Sequence, residues 1–154
     1  MKLVRENIRF ERGISKEKLE VGTYYLIQKW MNEMDIYGKI LDNFQIYTED
    51  YIVISSLKHL LSDGFPEYIK FYCSGNFDVD ATELPSLIGC PEIVNGYFSC
   101  QQNNIKNLKG FPKRVTKDVY FQGNSESFTV DEISRICDVG GKIWADDTPE
   151  EEWN

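Results

Sequence analysis

One pattern recurs along this chain, and it limits the possible folds more than any other feature. Residues 98–108 read FSCQQNNIKNL, which is F-x-C-x-x-N-x-I-x-x-L. The spacing is too irregular for one helix and too long for one strand. Its first half returns as Phe71-x-Cys73-x-x-Asn76 and as Val119-x-Phe121-x-x-Asn124. Each copy follows the same punctuation: Gly64-Phe65-Pro66, Gly89-Cys90-Pro91 and Gly110-Phe111-Pro112. Three residues after each proline stands a β-branched residue, Ile69, Val94 or Val115. Copies 21 to 27 residues apart are the mark of a chain that coils and stacks on itself.

Each position in the template has a physical reason. Residues two apart on a strand face the same side, so Phe98 and Cys100 both point to a core. Where the strand ends the chain bends inward, and a buried Asn can bond the backbone groups left by the bend. Asn76, Asn103 and Asn124 are expected to stack as a structural ladder. Ile105 and Leu108 fill the core from the return side, and Gly110 and Pro112 turn the chain into the next coil. The period lies in the leucine-rich-repeat range. The fold class expected is α+β: a leucine-rich-repeat-like solenoid of about four to five short parallel-type coils, with an N-terminal amphipathic α-helical cap.

The ends are adapted coils. Residues 43–47 and 51–54 read as strands, with Thr48, Glu49 and Asp50 as the turn between them. Residues 56–61 resemble a degenerate return segment. A helix runs from the N-cap Ser15 to about Asp35, with Leu19, Thr23, Leu26, Ile27, Trp30 and Met34 on one stripe. It would cover the first coil, which otherwise exposes apolar side chains. Residues 129–137 read as a short helix capped by Thr129, and 140–145 as a last strand. The third coil lacks the usual return, because Ser125-Glu126-Ser127-Phe128 stands in its place. One domain is expected over 1–154: cap 1–40, solenoid 41–145, and a solvated acidic tail 146–154 in which Trp153 is the one large apolar residue.

Composition narrows the function. Formal net charge is −8, with 25 acidic and 17 basic residues and no basic stripe, which disfavours direct nucleic-acid binding. No apolar run is long enough to span a bilayer, and charges interrupt residues 1–6 where a signal peptide would need an apolar stretch. A cytoplasmic protein with no membrane contact is expected. Cys73, Cys90, Cys100 and Cys137 form no C-x-x-C pair and His59 is the single histidine, so no metal or cofactor is expected. The cysteines read as reduced core residues, Asp78 and Asp80 as a solvated face, and His59 as a packed or surface residue. No catalytic residue stands out.

If the template residues point inward, their neighbours point outward. That places Tyr72, Ser99, Tyr120 and Trp144 in one column, Lys70, Tyr97, Asp118 and Lys142 in the next, and Ser74, Gln101, Gln122 and Asp146 in a third. Tyrosine and tryptophan bring large contact area at low rotamer entropy, which suits a protein-binding face. The expected face is Tyr72, Tyr97, Ser99, Asp118, Tyr120, Lys142 and Trp144.

The opening MKLVRENIRFERG, the coil L-x-G-C-P-x-x-V-x-G-x-F-x-C-x-x-N and the ending FTVDEISRICDVGGKIW resemble a family of short leucine-rich-repeat-like proteins of bacteriophages and prophages. The resemblance covers nearly the whole chain and implies a phage-encoded binding protein with no catalytic residues to carry over. The function expected is non-catalytic binding of a basic host protein, one whose own ligand is nucleic acid, such as a CRISPR or other defence nuclease. The alternatives are a phage assembly protein acting as a homo-oligomer and, least favoured, an enzyme on a small molecule or nucleic acid.

Overall fold

In the computed structural model, residues 16–48 (side chains from 21 onward), 52–54, 60–149 and 151 are described. The chain is α+β, a β-solenoid of about four turns with two helices. Helix α1 spans Lys16–Met34. Strand β1 (Lys39–Ile40) pairs antiparallel with β2 (Ile46–Thr48). Every coil after that contributes two short strands, one to each of two parallel sheets. They are β2 and β3 (Ile52–Val53), β4 (Phe71–Cys73) and β5 (Phe77–Asp78), β6 (Ile93–Val94) and β7 (Phe98–Ser99), β8 (Arg114–Val115) and β9 (Val119–Tyr120), then β10 (Asp138–Val139) and β11 (Ile143–Trp144). Helix α2, Val130–Ile136, fills the return between β9 and β10. The six-stranded sheet runs β1-β2-β4-β6-β8-β10 and the five-stranded sheet β11-β9-β7-β5-β3.

The register corrects the sequence template. Phe98 pairs with Phe77 and Val119, not with Phe71, which lies on the other sheet opposite Ile46. The true first copy is Phe77-x-Val79-x-x-Thr82-x-Leu84-x-x-Leu87, 21 residues before Phe98-x-Cys100-x-x-Asn103-x-Ile105-x-x-Leu108. The cause is four extra residues after Pro66. Pro91 and Pro112 stand three residues before Val94 and Val115, but the residue paired with Val94 is Cys73, seven after Pro66. Counting three from the proline therefore picks Ile69, and the aromatic two residues on, Phe71, stands in for Phe77, which lies eleven after Pro66 where Phe98 lies seven after Pro91.

The asparagine ladder divides for the same reason. Asn103 is 4% exposed and sits at the inner bend. Its Oδ1 accepts from the N–H groups of Thr82 (2.9 Å) and Leu84 (3.0 Å), and its Nδ2 donates to Val79 O (2.9 Å). Asn124, one coil on, accepts from Ile105 N (3.3 Å) and donates to Cys100 O (3.1 Å). Thr82, not Asn76, holds the preceding rung. Asn76 lies at the corner between the sheets, where its Oδ1 accepts from Tyr97 N at 2.9 Å. Gly96 is required there, because a Cβ would run into the Asn76 Oδ1 and come within 2.8 Å of Gly75 C.

A chain of rings runs through the core from helix to helix. Trp30 of α1 meets Phe71 at 6.0 Å, Phe71 meets Phe77 at 5.2 Å, and Phe77 stacks on Phe98 at 6.1 Å. Phe98, Phe111, Phe121 and Phe128 continue at 5.3, 5.3 and 5.4 Å. Helix α1 buries Ile27, Trp30 and Met31 in the core, with Met31 joining the expected stripe and Thr23, Leu26 and Met34 half-buried. Ser15, Glu49, Asp50, residues 56–59 with His59, and Trp153 lie outside the described residues, as does the side chain of Leu19.

At the other end the expected free tail is built into the fold through residue 148. Thr129 caps α2 with a full capping box to Glu132, as its position suggested. Asp146 accepts from Phe128 N (2.8 Å) and Gly123 N (3.0 Å), and Asp147 from Val130 N (2.9 Å). Thr148 Oγ1 accepts from Ala145 N (2.9 Å) and lies 3.4 Å from Ile143 O. One hydroxyl thus takes the place of the next coil for the last strand, which otherwise offers unpaired backbone groups. Composition gave an acidic tail, but carboxylates are also the natural acceptors for the N–H groups that a loop and a helix start leave open.

Removing Asn103 strands two buried N–H groups, while the Val79 carbonyl keeps only the Thr82 hydroxyl at 3.1 Å. Asn103→Ala is expected to lose about 2–4 kcal/mol in denaturant unfolding, against about 1–2 kcal/mol for Asn124→Ala, whose bonds are fewer and longer.

Candidate functional site

The outer face of the five-stranded sheet carries most of the chemistry. Strand pairing aligns Val53, Asp78, Ser99, Tyr120 and Trp144 in one row. Asn76, Tyr97, Asp118 and Lys142, two residues earlier, form the second row, and Asp80, Gln101, Gln122 and Asp146, two residues later, form the third. Six of the seven expected contact residues lie on this sheet or its border: Tyr97, Ser99, Asp118, Tyr120, Lys142 and Trp144. Tyr72 does not. It stands on the six-stranded sheet, its ring 5.4 Å from Tyr47. Lys70 and Ser74 move to that side with it, because the true first copy begins six residues later, at Phe77.

Rings of adjacent coils touch along the face. Tyr97 meets Tyr120 edge-on at 5.8 Å, and Tyr120 lies parallel to Trp144 at 6.4 Å. The Lys142 ammonium sits 4.3 Å from the Trp144 ring centre, a cation–π contact that fixes the last ring. Tyr120 OH donates to Asp118 Oδ2 at 3.3 Å, while Asp118 Oδ1 accepts from Lys142 N at 2.8 Å. One aspartate therefore bonds the corner backbone and orients a ring. Coil stacking thus lines up half-buried aromatics whose directions are set by neighbours.

Beside the rings lie two carboxylates that the sequence suggested were plainly solvated. Asp80 accepts from Ser99 Oγ (2.8 Å) and Gln101 N (2.7 Å). Ser99 is only 3% exposed, so it holds Asp80 in place and is not itself a contact surface. Asp78 accepts from Asp80 N at 3.1 Å. Burial lifts the Asp78 carboxyl above its ordinary range and the Asp80 charge adds to this, while the N–H of Asp80 and the Tyr97 hydroxyl oppose it. The Tyr97 phenol is pushed up by burial, then by the charges of Asp78 and Asp80, and the Tyr120 phenol by burial, then by Asp118. Both phenols are neutral donors at physiological pH. The signal for Asp78 was present in the sequence: it lies 21 residues before Ser99, but only in the register that begins at Phe77.

The cysteines are placed as small apolar residues. Cys73, Cys100 and Cys137 are buried, and all four are free thiols. Burial raises the Cys100 thiol well above its usual range and the Cys137 thiol to about 11. A thiol in that state is a poor nucleophile. Among the described residues no three His, Cys, Asp or Glu side chains converge as a metal set, and no helix is long and apolar enough to cross a membrane.

The raised Asp78 carboxyl has a pH consequence. Its folded-state pKa lies above the unfolded value, so its contribution to stability is lost as pH rises between the two. Asp78→Asn keeps the acceptor and removes the charge. It is expected to raise Tm at pH 7, with the gap to the parent closing below about pH 3, where both chains are neutral at this site. A thermal-melt series across pH measures it.

The chain matches no protein-family model, no curated protein and no solved structure.

Proposed function

We propose that the chain is a non-catalytic binding protein on a leucine-rich-repeat-like frame, and that its five-stranded face docks a basic segment of a protein partner. One observation carries this reading. The touching rings Tyr97, Tyr120 and Trp144 span two rows next to the Asp78 and Asp80 carboxylates, and no described cationic side chain forms an ion pair with either carboxylate. A guanidinium suits such a place, because it stacks on a ring while bonding a carboxylate in its plane. The charge of −8 adds long-range attraction for a basic partner. The rings are already oriented by Asp118 and Lys142, so little rotamer entropy is lost on contact.

The resemblance to phage proteins makes a host protein the partner class, and acidity makes a nucleic-acid enzyme such as a defence nuclease its leading member. The surface would then occupy the groove where such an enzyme holds phosphates.

The test is affinity capture from bacterial host lysate, followed by titration of the captured protein. Tyr97→Ala/Tyr120→Ala and Asp78→Asn/Asp80→Asn variants are compared with the parent after circular dichroism shows that they fold. Capture of a basic protein with affinity reduced about tenfold or more by each double variant is the expected result. Undiminished binding by both variants removes this face from the function.

A further inference from the structure

The six-stranded sheet presents a second outward row, separate from the face above. In register across the strands it reads Lys39, Tyr47, Tyr72, Ile93, Arg114 and Asp138. Tyr72 is 45% exposed and Ile93 46%, large apolar side chains on a surface whose neighbours are charged. Lys39, Arg114 and Asp138 are exposed, and none of them forms an ion pair among the described residues. The order of the row is what matters. It begins with a cation, ends with an anion, and has its two exposed apolar groups at the centre.

Turn a second copy by half a revolution about an axis between Tyr72 and Ile93, and the row meets its own reverse. Tyr72 faces the partner's Ile93, and Ile93 the partner's Tyr72. Tyr47 faces the partner's Arg114, a ring opposite a guanidinium. Lys39 faces the partner's Asp138. All six pairings are favourable in kind, and a two-fold interface needs this self-complementarity. Without the half-turn, laying the same row on itself sets Lys39 on Lys39 and Arg114 on Arg114.

We infer that the six-stranded face is a homodimer interface in which two copies meet antiparallel, with Tyr72 and Ile93 at the centre. Strand spacing makes the row about 24 Å long. A patch of that length falls at the small end of protein interfaces, so the dimer is reversible and concentration-dependent. It leaves the five-stranded face free, which gives the assembly two copies of the proposed docking surface.

Sedimentation velocity of the full chain from about 1 µM to 1 mM tests the inference across the affinity range of weak dimers. A monomer–dimer equilibrium is expected for the parent. Ile93→Glu and Tyr72→Glu, both at exposed positions, are each expected to weaken it about tenfold or more. Tyr120→Ala on the other sheet is expected to leave it unchanged. Lys39→Glu and Asp138→Lys should each weaken the dimer, and the two together should restore it, because each position faces the other across the axis. A parent monomeric at every concentration overturns the inference. So does a dimer insensitive to Ile93→Glu and Tyr72→Glu, or a double reversal no tighter than the single ones. None of these outcomes bears on the five-stranded face, whose test is capture of a different protein.

Discussion

Everything in this protein depends on one constraint: each coil bonds only to the coils beside it, and must repeat their register. Phe98 N donates to Asp118 O, Val119 N to Lys142 O, and Phe77 N to Tyr97 O, one link of the same ladder each time. Inside, Phe77 lies parallel to Phe98, and Asn103 bonds the bend of the coil before it. Strands of two or three residues could not hold a sheet alone. Stacked five deep around a continuous line of rings, they share one core.

The same constraint places the surface. A side chain pointing outward in one coil has neighbours 21 to 25 residues away in the chain and one strand spacing away in space. Rows of like character therefore arise whenever the repeat keeps a character at one position. Tyr120 and Trp144 come together this way, and Tyr97 meets Tyr120 from the adjoining row; Asp78 and Asp80 lie beside them as residues two apart on one coil. The corner aspartates and asparagines show how polar residues serve the stack first. Asn76 and Asp118 each give an oxygen to a backbone N–H one coil on, and only then does Asp118 take the Tyr120 hydroxyl.

The two ends resolve the problem of a stack that must stop. Helix α1 lays Ile27, Trp30 and Met31 on the first coils. At the far end, α2 and Thr148 complete the last coil: the helix replaces a return segment, and the hydroxyl occupies the final edge. The acidic residues Asp146 and Asp147 are part of this closure, holding N–H groups of 123, 128 and 130.

Local spacing by itself determined that the chain coils, where α1 and α2 lie, that Thr129 caps a helix, and that Phe98, Cys100, Ile105, Val119 and Phe121 face inward. Those properties follow from periodicity and capping, which act over a few residues. Only the tertiary structure decided which aromatic matches which. Phe71-x-Cys73 and Phe77-x-Val79 are equally good inward pairs, and neither keeps the seven-residue distance from the proline that Phe98 and Val119 share. Hydrogen bonding between coils chose between them, sending Tyr72 to one sheet and Asp78 to the other. It also buried Ser99 beneath Asp80 and fastened Asp146, because a carboxylate reads as solvent-facing until an N–H from a distant coil is brought to it.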